Sequence, residues 1–215
     1  MMNKIINDYC TFCERRENVP NQLFAESDNF FAFFTLGHMV EGYTLIVSKE
    51  HYHCMGALPQ SLQAEYLEFT KYITGILEKK YGRTISYEHG RVGLCNVQPG
   101  EQICYHAHTH IVPVAMDLIP DFKKDGLIPY EIEQNSSLFK QYKNFGHYLY
   151  YRNIDKKEYI IQINQPIRRQ YLRYLVAKNL GNEELAKWSE YPEYEKLNSA
   201  IKNISNLITE NKVVN

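Results

Sequence analysis

Three histidines at alternate positions, His106, His108 and His110, constrain this chain more than any other feature. They lie in Gln102-Ile103-Cys104-Tyr105-His106-Ala107-His108-Thr109-His110-Ile111-Val112-Pro113, whose flanks are apolar and β-branched. Period-two alternation between such flanks predicts a β-strand with all three imidazoles on one face, about 6.6–6.8 Å apart along the strand. One face then carries chemistry and the other packing. Imidazole serves near neutral pH as metal ligand, general base or nucleophile, so the spacing alone leaves the chemistry open.

Composition narrows the partners. The 24 basic and 25 acidic side chains give a formal charge of −1, which supplies no general attraction to nucleic acid or an anionic membrane, so none is expected as a partner. No apolar run approaches the roughly 20 residues of a membrane span, and Met1-Met2-Asn3-Lys4-Ile5-Ile6-Asn7-Asp8 is short and polar for a signal peptide; a cytoplasmic protein is expected. Five cysteines, Cys10, Cys13, Cys54, Cys95 and Cys104, are an odd number and argue for thiols and a metal rather than disulfides. A lone Cys10-Thr11-Phe12-Cys13 is by itself ambiguous between zinc, redox chemistry and coincidence.

The run His106-Ala107-His108-Thr109-His110-Ile111-Val112 resembles the signature of the histidine-triad (HIT) family, His-x-His-x-His followed by two apolar residues. The preceding Gly100-Glu101-Gln102 is similar to the approach to that strand. Gly42-Tyr43-Thr44-Leu45-Ile46-Val47-Ser48-Lys49-Glu50-His51 is similar to the family's Gly-His-x-Leu-Val-Ile-Pro-Lys-x-His strand. Together these cover about residues 8–115.

The resemblance implies an α+β fold: a HIT-like domain over 1–115 with an antiparallel sheet and packing helices, and a C-terminal α/β extension over 116–215 packed on it. It implies His108 as a nucleophile that forms a covalent nucleotidyl-histidine, with His110 and Gln102 as further catalytic residues. The substrate would be a nucleoside phosphate conjugate, cleaved by hydrolysis or by transfer at a phosphoanhydride or phosphoramidate. Thr35, Asn96 and His106 are the expected substrate contacts. Zinc-bearing members pair such a Cys-x-x-Cys with two distant histidines, which here implies structural Zn2+ on Cys10, Cys13, His51 and His106. Compact members are commonly homodimers.

Three positions depart from the family pattern: Tyr43 replaces a histidine, Thr35 an Asp or Asn that holds ribose, and Ile103 a Ser or Thr that serves the leaving group. Two other readings stand beside the nucleotidyl enzyme. One is a hydrolase whose three histidines bind a catalytic metal; the other is a nucleotide-binding protein that retains the fold without turnover.

Elsewhere the pattern is structural. Asn29 to Thr35 reads as a buried strand with 42–48 as its hairpin partner. A helix from about Pro59 to Tyr81 carries Leu62, Tyr66, Phe69, Ile73, Ile76 and Leu77 as its stripe and stops at Gly82. Thr84 to Gly90 reads as a short strand, and Glu88-His89-Gly90 resembles HIT-like proteins with larger C-terminal parts. Tyr148–Arg152 and Glu158–Ile163 read as a hairpin, followed by helices from Pro166 and from about Tyr194. Arg168, Arg169 and Arg173 are expected to be solvated, or to clamp a phosphate.

Overall fold

The computed structural model describes residues 10, 12–13, 22–90, 95–96, 106–133 and 137–211. Its strands are β1 (Leu23–Glu26), β2 (Phe30–Phe34), β3 (Thr44–Ser48), β4 (Ile85–Gly90), β5 (Cys95–Asn96), β6 (His108–Val112), β7 (Pro129–Ile132), β8 (Tyr148–Arg152), β9 (Glu158–Ile161) and β10 (Ile167–Arg168). The helices are α1 (Gln60–Tyr81), α2 (Ile119–Lys124), α3 (Ser137–Phe145), α4 (Tyr171–Asn179) and α5 (Tyr194–Asn211). None is long and apolar enough to cross a membrane among the described residues.

Eight strands form one antiparallel sheet in the order β1-β2-β3-β6-β4-β8-β9-β7. The sequence Phe-Phe-Ala-Phe-Phe of β2 is buried throughout because both faces of the sheet are covered. On one face Phe31, Phe33, Leu45, Tyr87, Val112 and Leu149 pack against Leu172, Leu175 and Val176 of α4. On the other, Phe30, Phe34, Ile46, Ile111 and Tyr150 pack against Phe69, Ile73 and Leu77 of α1 and Leu197 and Ile204 of α5. The apolar stripe read for α1 is the face it buries, and Gly82 ends the helix at φ +86. Pro59 sits at its N-cap rather than in its first turn.

The second half of the chain continues the sheet. β8 pairs with β4 from Ser86↔Arg152 to Gly90↔Tyr148, so β4 has a hydrogen-bonded neighbour on each side, β6 and β8. Gly90 permits this close approach: a Cβ there would lie 2.3 Å from the Tyr148 ring. The hairpin turn falls where expected, with Asn153 Oδ1 accepting from the backbone N–H groups of Asp155 and Lys157.

One expectation is corrected after β9. A helix from Pro166 is not formed; Ile167–Arg168 is a strand that pairs in parallel with Cys95–Asn96, and α4 begins only after Gln170 turns the chain at φ 54. The prolyl ring and the left-handed residue interrupt what the apolar periodicity read as one helix.

Candidate active site

β6 lies between β3 and β4, with His108 opposite Val47 and His110 opposite both Leu45 and Tyr87. Alternation turns Thr109 and Ile111 inward to α1, where Thr109 Oγ1 meets the Tyr66 hydroxyl at 2.8 Å, and leaves His108 and His110 partly exposed on the α4 face.

Nδ1 of His108 is 2.6 Å from the His106 carbonyl. A carbonyl can only accept, so this nitrogen carries the proton and Nε2 keeps its lone pair. Burial, opposed by that carbonyl, pushes the imidazole down to about 4, so the ring is neutral at pH 7. His110 stacks on Tyr87 at 4.5 Å, and its Nδ1 lies 2.6 Å from the Tyr43 hydroxyl, which also meets the Tyr87 hydroxyl at 3.0 Å. Burial, then the charges of His108, Arg173 and His89, hold His110 well below the usual imidazole range.

Beside this face stands a thiol–imidazole cluster. Cys10 Sγ and Cys13 Sγ lie 3.3 and 3.5 Å from His106 Nδ1, and Cys13 Sγ lies 3.4 Å from His51 Nδ1. One ligand atom from each of Cys10, Cys13, His51 and His106 falls within 4.8 Å of every other. The edge of a tetrahedron with zinc–sulfur and zinc–nitrogen bonds is about 3.5 Å, so the donor set and its spacing fit zinc. Nε2 of His106 meets the Ser48 carbonyl at 2.8 Å, which fixes Nδ1 as the ligand nitrogen.

With one nitrogen toward the thiols and the other on Ser48, both ring nitrogens of His106 have protein partners. Among the described residues, the group close enough to hold one ion takes only His106 from the strand histidines.

The remaining expected residues are placed as follows. Thr35 is buried at the end of β2, its carbonyl 3.3 Å from His38 Nδ1. Gln102 lies outside the described residues; for Asn96 only the backbone pairing of β5 with β10 is described. Arg173 is neither solvated nor a clamp: it is buried and donates to the carbonyls of Gly37, Leu185 and Ala186. Arg168 lies 3.8 Å over the Tyr174 ring.

Two contributors were missed in the sequence. Phe12, between the two thiols, packs on both His106 and His108, with ring centroids 5.6 and 4.9 Å away, so the cluster and the middle histidine share a wall. An aromatic residue inside a Cys-x-x-Cys was the available signal. Tyr87, which supports His110, could be found only from strand register.

Comparison with known proteins comes to the same stretch. The family model for the HIT domain matches residues 16–116. An uncharacterised HIT-like protein of Methanocaldococcus jannaschii is 27% identical over 107 residues, 48% of this chain and 78% of that protein. An uncharacterised HIT-like protein of Borreliella burgdorferi is 24% identical over 136 residues, 61% of this chain and 94% of that protein. Among solved structures, a HIT family protein from Bacillus anthracis aligns with a TM-score of 0.40 and 19% identity, covering 49% of this chain and 73% of that one.

Proposed function

From the match of the HIT-domain family model to residues 16–116, we propose that the chain is a nucleotidyl hydrolase or transferase working through His108. Nε2 of His108 attacks the phosphorus of a nucleoside phosphate conjugate. An N–P bond forms, the P–O or P–N bond to the leaving group breaks, and its electron pair departs with that group. The positive charge that appears on the imidazole is met by the His106 carbonyl at Nδ1–H. Water then cleaves the N–P bond in hydrolysis; a second phosphate does so in transfer.

The observation that carries this reading is the 2.6 Å contact between His108 Nδ1 and the His106 carbonyl, which leaves the lone pair on the nitrogen facing away from the backbone. His110 serves the non-bridging oxygens. With Tyr43 donating to its Nδ1, its proton sits on Nε2 as a donor for developing negative charge. Gln102 and Asn96 complete the phosphate contacts in this reading. Zinc held by Cys10, Cys13, His51 and His106 would be structural, its four positions filled by protein, and would anchor the strand that aims His108.

Mass spectrometry of the protein mixed with nucleotide conjugates tests the covalent step. The expected result is a phosphoramidate adduct, absent in His108→Ala and His108→Asn. Turnover by His108→Ala at the wild-type rate would remove the mechanism, and nucleotide binding without turnover in wild type would leave a binding protein.

A further inference from the structure

A second opening lies behind the histidines, on the α1 face of the sheet. Helix α1 and Leu138 of α3 wall a cavity of about 620 Å3 whose floor is Thr109 of β6, Ser86 of β4, Tyr150 and Arg152 of β8 and Glu158 of β9. All five floor residues carry polar groups, and Ser86, Arg152 and Glu158 stand in register across three strands. Elsewhere this face is built from residues such as Phe34, Ile46, Ile111 and Ile160, packed in one apolar cluster. Ser86 is 3% exposed and Thr109 1%, so hydroxyls are buried where a covered sheet calls for apolar side chains. Burying polar groups stabilises nothing by itself, and such a break in a packed pattern marks a site that binds.

The helical wall shows the same break. The Thr70 hydroxyl is buried there and makes no hydrogen bond of good geometry, though it acts on Tyr66 one turn before it. Gly75 stands on the same wall, in the interior of α1, where glycine costs about 1 kcal/mol against alanine. A Cβ at Gly75 would meet nothing within 4 Å, so packing within the chain does not call for glycine, whereas its missing side chain widens the cavity. The charge around the cavity is balanced: Lys71, Arg152 and Lys156 face Glu68, Glu78 and Glu158, and Lys156 pairs with Glu78 at 3.1 Å. Neither an anion nor a cation is selected, and an aliphatic chain would strip water from the floor groups without replacing its hydrogen bonds. The matching ligand is neutral, small and rich in groups that both donate and accept.

We propose that this cavity binds a neutral carbohydrate of one or two rings. A sugar hydroxyl donates and accepts at once, as the hydroxyls of Ser86, Thr109 and Tyr150 on the floor do. Arg152 and Glu158 are cross-strand partners with Cβ atoms about 5 Å apart, and they offer adjoining sugar hydroxyls a donor fork and an acceptor side by side. Glu158 also accepts from the Tyr150 hydroxyl, which aims its carboxylate along the floor. From β6 through β4 and β8 to β9 the floor spans about 14 Å, which suits two rings better than one. Thr109 lies between His108 and His110 on β6, but its side chain turns to the opposite face, so the sugar site and the histidine face share a strand and no side chain. The two sites therefore stand or fall separately.

Titration of the full chain with maltose, D-glucose and inorganic phosphate, followed by NMR at the backbone amides, tests this. Maltose should bind saturably, more tightly than glucose, and shift the amides of Ser86, Thr109 and Tyr150; phosphate should shift none of the three. Gly75→Phe, whose Cβ meets no neighbour and so leaves the fold intact, should weaken maltose about tenfold or more by overhanging the cavity, and Ser86→Ala about fivefold through the loss of one hydrogen bond. His108→Ala should bind maltose as wild type does. Absence of saturable binding of both sugars to wild type overturns the proposal, as does a maltose affinity equal to wild type in either Gly75→Phe or Ser86→Ala. Maltose binding lost in His108→Ala but kept in Gly75→Phe would put the sugar on the histidine face and overturn it as well.

Discussion

Tyr43→Phe removes one oxygen from the centre of the site and leaves the ring that fills the space. That oxygen lies 2.6 Å from His110 Nδ1 and 3.0 Å from the Tyr87 hydroxyl, and Tyr43 is 0% exposed. Each partner loses a buried hydrogen bond, at about 1–3 kcal/mol per orphaned group, or about 2–6 kcal/mol together. In a chain of this size that corresponds to a fall of roughly 4–24 °C in Tm. Turnover should fall too, because His110 loses the contact that fixes its tautomer, though by less than the about 100-fold that deleting a whole oxyanion donor costs. Thermal unfolding and kcat on a cleaved nucleotide conjugate read the two effects. Tyr52→Phe is the control: its hydroxyl meets Glu50 at the surface, and its loss should cost under about 0.5 kcal/mol. A Tyr43→Phe protein that melts and turns over with wild type would show that the Tyr43–His110 contact carries nothing.

Elemental analysis should find zinc in wild type and lose it in Cys10→Ser, which should also melt lower, since a closed metal site contributes directly to folding; unchanged zinc content would take Cys10 out of the site. Glu88 is buried while accepting from the Met55 N–H and the Tyr148 hydroxyl, and burial pushes it from 4.5 up to about 7. The folded state therefore binds the proton more tightly. Its contribution is fully present below about pH 4.5, is lost as pH rises through about 7, and amounts to about 3 kcal/mol. The stability difference between wild type and Glu88→Gln should change by that order between acid and alkaline denaturant melts, and a pH-independent difference would refute it. Gly90→Ala puts a Cβ 2.3 Å from the ring of Tyr148, which is fully buried and bonded to Glu88, and should cost more than about 3 kcal/mol. Gly75→Ala meets open space on α1 and should gain up to about 1 kcal/mol; a chemical-denaturation series that ranks them otherwise rejects the packing argument.

Much of the first half was legible. The alternation of His106, His108 and His110, the stripe of α1 and the Phe-rich β2 are local periodicities, and local periodicity survives folding because it records which face is buried. The four cluster residues are a different case. Cys10 and His106 are 96 positions apart, and only the resemblance to zinc-bearing relatives joined them before the structure brought the four together. β1, β7 and α3 were not read, since Leu23–Glu26 and Pro129–Ile132 are four-residue edge segments and Ser137–Phe145 mixes polar and apolar residues over nine positions.

The sequence by itself determined that one strand would present imidazoles on a single face and that a long helix would pack through one apolar stripe. Tertiary structure alone decided who stands beside those imidazoles: Tyr43 and Tyr87 under His110, Phe12 against His108, His89 one strand away, Arg173 buried nearby. The reason is that a strand's own period is written in adjacent residues, whereas register between strands is set by turns, by packed faces and by pairings such as β4 with β8 that join residues some sixty positions apart.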